Sequence, residues 1–193
     1  MTTDDDTVAS EDQQTPRQGP RRALMWVFGG VAAATIAIDA GSKALVVAGL
    51  RPSEPVRLLG GVIYLTLIRN SGAAFSMASR FTLGLSVLAV AVVCAIAWFA
   101  WRRLGSAWWA VSLGLIAGGA LGNLVDRAFR PPGFMRGHVV DFISLFNPYG
   151  EGWAIFNLAD SSLVIGVCIV VFLELTGRRI DGTRVTKDQA VGE

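Results

Sequence analysis

The chain has 193 residues, 52% of them hydrophobic and 17% charged, with a net charge of +2. Soluble domains carry about a quarter of their residues as charges; here long stretches carry none and the charges cluster between them, which excludes a water-soluble globule. The small net charge, without a basic stripe interleaved with aromatics, excludes nucleic acid as a partner, and Cys94 and Cys168 lie in apolar runs that suit neither a disulfide framework nor a zinc site and read as small packing residues.

Residues 1–20 are polar and rich in Asp, and predict a disordered tail. The apolar run behind Arg17, Arg21 and Arg22 starts too late and continues too far for a cleaved signal peptide. Four spans are predicted, at about 23–45, 81–101, 106–126 and 154–176. The first is uncharged until Asp39 and Lys43, with helical character to about Leu50. The second stops at Arg102–Arg103 and the third at Asp126–Arg127. The fourth stops at Gly177–Arg178–Arg179 and holds Asn157, Asp160 and Glu174 in it or at its ends. Between the first two spans, Val62–Ile68 is a β-branched and aromatic run bounded by turn residues, which predicts a strand. Residues 127–153 are rich in Pro and Gly and predict a loop with one short ordered piece around Val139–Phe146. The fold class is therefore an all-α membrane protein, a four-helix transmembrane bundle over 21–177, followed by a tail at 178–193.

Four spans put both termini on one side. Lys and Arg number nine on the side of the termini and eight on the other, nearly a tie, although their density near the span ends favours cytoplasmic termini.

Polar groups within or beside hydrocarbon are costly and need a reason. Asp39 and Lys43 are spaced to pair on one helix face, as an interfacial anchor or as part of a site. Asn70-Ser71-Gly72-Ala73-Ala74-Phe75-Ser76 follows the predicted strand, as a plain loop or as backbone that lies close to a substrate. Asn123, Asp126 and Arg127 share a helix face, as a structural network or a substrate-gripping one; upstream, Gly114, Gly118 and Gly122 form a stripe for close helix packing. Asp141 is flanked by bulky apolar residues. Asn157, Asp160 and Ser161 share a face near the mouth of the fourth span. Two carboxylates that meet at a low-dielectric boundary hold one proton between them and can do acid–base work. Spacing alone leaves open whether Asp141 and Asp160 meet in that way or are structural or proton-carrying acids. His138, the only histidine, lacks the partners for a metal site and reads as a structural hydrogen-bonding residue.

Taken together and in order, Asp39-x-x-Ser42-Lys43, Asn70-x-Gly72-Ala73-Ala74-Phe75, Gly122-Asn123-x-x-Asp126-Arg127, Val140-Asp141-Phe142 and Phe156-Asn157-x-Ala159-Asp160 resemble the motifs of lipoprotein signal peptidase, signal peptidase II. The resemblance spans about residues 23–177. It implies an aspartic endopeptidase of the bacterial inner membrane, with cytoplasmic termini and a site near the extracytoplasmic face. It also implies an extracytoplasmic β-cradle, at about 51–75 here, and a short extracytoplasmic loop or helix. The substrate would be a prolipoprotein cut just before its diacylglyceryl cysteine, with membrane lipids around it and globomycin-type peptides as inhibitors. No cofactor or metal is implied, and a monomer is expected. By motif position, Asp141 and Asp160 would be catalytic, with Asn123, Asp126, Arg127 and Asn157 around them. Asn70 and Arg127 would touch substrate, in a loop that includes Gly72, while Asp39 and Lys43 would brace the site. The stretch between Asp126 and Asp141 is longer than the family pattern, which bears on the shape of the lid over the site. A proton-coupled transporter, with acids facing one another at mid-depth, and a membrane scaffold are the alternatives from other classes.

Overall fold

Backbone in hydrocarbon must satisfy its own N–H and C=O groups, and uncharged runs do so as helices. The computed structural model describes residues 19–52, 54–72 and 82–185. In it α1 spans Gly19–Gly49, α2 Thr82–Arg103, α3 Ala107–Phe129 and α4 Leu158–Leu175. All four are long and apolar enough to cross a membrane. The expected 1–20 tail lies outside the described residues except for its last two, which begin α1, and so do Ala73–Ser76 and the end of the C-terminal tail. Helix α1 begins at Gly19, ahead of the expected 23, and runs through the Asp39–Lys43 pair to Gly49, next to the expected limit of helical character at about Leu50. Helix α4 starts later than expected because Asn157 caps it.

Helix α3 is the centre of the bundle: 50% of its spanning window is buried, against 11% for α2. Its small residues explain this. A Cβ on Gly118 would lie 2.7 Å from Thr35 Cβ and 2.8 Å from the Ala32 carbonyl oxygen of α1. Across the bundle, Gly166 of α4 approaches α3 so closely that a Cβ there would lie 2.8 Å from the Ser112 carbonyl oxygen. Where hydrocarbon surrounds every helix, such close backbone approach drives association through dispersion. The outward faces stay apolar and exposed, with Trp26, Leu45, Leu88 and Phe172 among them. Cys94 and Cys168, in the apolar runs of α2 and α4, also face outward as free thiols.

The long connections build one antiparallel sheet, β1 (Val56–Leu58), β2 (Ile63–Asn70) and β3 (Val139–Leu145), in that spatial order. Strand β2 covers the predicted 62–68 run from Ile63 onward and extends it to Asn70, with Val62 in the turn before it. The short ordered piece expected around Val139–Phe146 is β3, a strand whose first four residues are all buried. Burial on both faces erases the alternation that would have marked it. An irregularity between Leu65 and Ile68 resets the β2–β3 register, so Ile68 pairs with Asp141 and Asn70 with Val139. Phe156 then pairs with Ile143 on the free side of β3, through bonds of 2.8 Å and 3.0 Å, and delivers the chain to α4 beside Asp141. At the opposite end of the bundle, residues 177–185 form a hairpin that folds back on the α2–α3 turn, with Gly105 N–H donating to the Ile180 carbonyl at 2.8 Å.

Replacing Gly118 with Ala forces α1 and α3 apart and is expected to cost about 1–3 kcal/mol. Gly30→Ala, on an open face of α1, is expected to be neutral or stabilising. Thermal unfolding in detergent compares the two; equal behaviour would contradict this packing.

Candidate active site

The polar residues of five separate chain segments meet where the sheet sits on the bundle. Each element contributes for a local reason. The Asn157 side-chain oxygen accepts the Asp160 backbone N–H at 3.0 Å, and the Asp160 carboxylate accepts the Asn157 backbone N–H at 3.1 Å, a reciprocal cap that opens α4. With its oxygen thus engaged, the Asn157 amide must present its nitrogen, which donates to Asp141 Oδ1 at 2.6 Å. Asn70 repeats the arrangement: its oxygen accepts Gly72 N–H at 2.8 Å, and its nitrogen donates to Asp141 Oδ2 at 2.8 Å. Asn123 is oriented by a cation, since its oxygen accepts Lys43 Nζ at 3.0 Å while its nitrogen donates to Asp160 Oδ1 at 2.7 Å. Every oxygen of the two carboxyl groups therefore receives one N–H.

Beneath this pair lies a buried ionic cluster. Lys43 Nζ is 2.7 Å from Asp39 Oδ2 and 3.0 Å from Asp126 Oδ2, with Lys43 and Asp39 each 1% exposed. The cluster ties elements together: Asp39 Oδ1 accepts Ala159 N–H of α4 at 3.0 Å, and Asp126 Oδ2 accepts Val140 N–H of β3 at 3.1 Å. Asp126 also pairs with Arg130. Gly122 leaves room for it, because a Cβ there would lie 2.8 Å from Asp39 Oδ2.

Arg127 borders the carboxylates, in the field of Asp141, Asp160 and Asp126. Its Nη1 is buried without a hydrogen-bond partner among the described residues. Gly72, at φ +94°, lies against it: a Cβ there would be 3.3 Å from Nη1 and 2.7 Å from Leu85 Cδ1. Only glycine suits both that backbone angle and that space.

The family model described as "Signal peptidase (SPase) II" matches residues 31–176. The chain belongs to the signal peptidase II family. A lipoprotein signal peptidase of Rhodococcus jostii is 49% identical over 94% of this chain and 86% of its own length. One from Mycobacterium avium is 48% identical over 91% of this chain and 93% of its own. Two solved structures of a bacterial membrane enzyme superpose with TM-scores of 0.63 and 0.64 at 28% identity, over 75% of this chain and 85% and 90% of theirs. As a signal peptidase II, this is a multi-pass bacterial membrane protein and an aspartic peptidase that removes signal peptides from prolipoproteins.

In this signal peptidase II the sequence-predicted residues Asp39, Lys43, Asn70, Gly72, Asn123, Asp126, Arg127, Asp141, Asn157 and Asp160 all converge. The Asp39–Lys43 pair is buried rather than interfacial. Asn157 caps the fourth helix rather than sharing its face. Arg130 escaped the sequence reading, although it stands four residues after Asp126, the same spacing that flagged Asp39 and Lys43. So did Ser86, whose hydroxyl donates to the Met135 carbonyl at 2.7 Å and ties the long 130–138 loop to α2.

Asp141 is 3% exposed. Burial pushes its carboxyl from 3.8 up to about 6; the Asn70 hydrogen bond works against the rise and the nearby Asp160 charge adds to it. The Asn70 bond favours the ionised form, so Asn70→Ala should move this ionisation to higher pH. In the pH profile of kcat/KM, an inflection near pH 6 is expected in the wild type and above it in the variant; an unmoved inflection would contradict the assignment. Lys43→Met leaves Asp39 and Asp126 buried without their cation and is expected to cost about 3–5 kcal/mol of stability, read by thermal unfolding in detergent. An unchanged unfolding temperature would mean the ionic cluster does not hold these elements together.

Proposed function

We propose that Asp141 and Asp160 are the catalytic carboxylates, and that the enzyme cuts prolipoproteins just before the diacylglyceryl-modified cysteine. The observation that carries this reading is that Asn157 hydrogen-bonds both carboxyl groups at once, Asp141 through its amide and Asp160 through its backbone N–H. The pair holds one proton, on the more buried Asp141. Ionised Asp160 takes a proton from a water molecule as the water oxygen bonds to the scissile carbonyl carbon, while Asp141 gives its proton to the carbonyl oxygen. As the tetrahedral diol collapses, Asp141 retakes a proton from one hydroxyl, the C–N bond breaks, and Asp160 protonates the leaving amine. The two acids end as they began.

Asn123 and Asn157 hold the carboxylates, and Asp39, Lys43 and Asp126 brace them from below. Arg127, whose buried Nη1 has no hydrogen-bond partner among the described residues, and Asn70 receive the substrate backbone, and Gly72 lets it pass close. The acyl chains lie along the apolar outer faces of the spans among membrane lipids. Exposed arginines stand at both ends, Arg51, Arg57, Arg69 and Arg136 at the sheet end and Arg102, Arg103, Arg179 and Arg184 at the other, so their number does not set the orientation. Membership of the family supports cytoplasmic termini in the inner membrane and a site near the extracytoplasmic face. One chain supplies every group, which supports a monomer.

Asp141→Asn and Asp160→Asn are each expected to lower kcat by about 10²–10⁴-fold with folding retained, and the double variant to fall little further because the two act as a unit. The mass shift of a diacylglyceryl-modified prolipoprotein, with and without globomycin, measures this. Processing by either variant at the wild-type rate would refute the dyad.

A further inference from the structure

A second polar cluster lies at the far end of the bundle, and peptide hydrolysis has no use for it. Helix α3 runs from Ala107 to Phe129, so its two ends lie about 34 Å apart at 1.5 Å per residue. The carboxylates sit at one end. At the other is a cavity of about 330 Å³ lined by Ser106, Trp108, Arg178, Arg179, Thr183 and Arg184. Three guanidinium groups share this space, and none forms an ion pair with a carboxylate among the described residues. Arg178 Nε is buried with no hydrogen-bond partner among them. Helix α3 holds Arg178 in place, since the Arg178 carbonyl accepts Trp109 Nε1–H at 2.9 Å.

The one carboxylate of the hairpin does not neutralise the cluster by contact. Asp181 Oδ1 accepts the Thr183 N–H at 2.9 Å and the Thr183 hydroxyl at 2.7 Å, closing the turn. The cavity also opens on the start of α3. There the cap residue Ser106 makes no side-chain cap bond, and the first turn carries no acid. The first N–H groups of a helix lack intrahelical partners and favour an anion. Trp108, 59% exposed, stands beside them where aromatic side chains mark the membrane boundary. Forked guanidinium donors, free helix N–H groups and an uncommitted hydroxyl make up a receptor for tetrahedral oxyanions rather than for a planar carboxylate alone.

We propose that this cavity binds a phosphate group, of the kind an anionic phospholipid headgroup presents at the level of the helix ends. The headgroup phosphate lies between Arg178 and the start of α3, with Arg179 and Arg184 closing over it from the exposed side. A basic pocket at the ends of spanning helices is the setting in which such headgroups are held. The site lies across the membrane from the carboxylates and leaves the bond-cleaving groups untouched.

The full chain, purified in a neutral detergent, is titrated with phosphatidylglycerol, phosphatidylcholine or inorganic phosphate while its thermal unfolding is followed. Phosphatidylglycerol is expected to raise Tm and zwitterionic phosphatidylcholine is not. Arg179→Gln with Arg184→Gln, both exposed, should leave the lipid-free Tm unchanged and weaken the response to phosphatidylglycerol at least about tenfold. Arg51→Gln with Arg136→Gln, exposed at the other end, should respond as the wild type does. A response to inorganic phosphate equal to that of the lipid would keep the phosphate site and assign it to a free anion. No response to either phosphate source, or a response to phosphatidylglycerol that survives the Arg179/Arg184 change or is lost equally with Arg51/Arg136, would overturn the proposal.

Discussion

Three asparagine side chains govern this site, and all three are oriented alike. A carboxamide can present either an acceptor or donors, and which of them faces a carboxylate decides whether that carboxylate is supported or repelled. Here each amide oxygen is committed elsewhere: to Gly72 N–H in Asn70, to Lys43 in Asn123 and to Asp160 N–H in Asn157. Each nitrogen is left to face an acid. The site thus meets its acids with neutral donors, and Lys43 acts on them through Asn123 rather than by direct pairing. A cation bonded to either acid would hold it ionised and spoil its capacity to carry a proton. Amides support the carboxylate without that penalty.

The buried Lys43 cluster follows from the same requirement. Asn123 needs something to hold its oxygen, and a bare ammonium at that depth would cost more than the fold could offset. Asp39 and Asp126 supply the counter-charge, and each also accepts a backbone N–H of another element, Asp39 through its other oxygen from Ala159 at the head of α4 and Asp126 through the same Oδ2 from Val140 in β3. One ionic cluster therefore orients an amide, seats the helix that bears Asp160 and seats the strand that bears Asp141. The glycines of α3 belong to this account as well, because Gly122 makes the space that the Asp39 carboxylate fills.

Which parts could be read from the chain alone follows from how each is specified. Hydrocarbon thickness and backbone hydrogen bonding dictate spans, so the four helices were legible in the apolar runs, with differences at their ends, as where Asn157 caps α4. The site residues were legible as polar groups in costly places. Their partners were not. Asp126 stands four residues before Arg130 and far from Lys43 in sequence, yet it bonds both; only the crossing of α1 and α3 decides the second contact. Strand β3 was hidden because burial on both faces leaves an unbroken apolar run around one acid. Asn157 was read three residues before Asp160, which fits a shared helix face and a cap equally well, and only the pairing of Phe156 with Ile143 turns the chain so that the cap forms.

That last pairing explains why a membrane bundle of this kind carries a sheet at all. Helices present side chains along fixed stripes, and two acids on adjacent spans would face each other in hydrocarbon, where water as a reactant is scarce. A strand lets an acid approach from the aqueous side. Asp141 arrives on β3 above the head of α4, and Asp160 sits in the first turn of that helix. With these two as the proposed reacting groups, the sheet sets the depth of the chemistry, at a boundary that a lipid-bound substrate and water would both reach, and the ionic cluster sets its orientation.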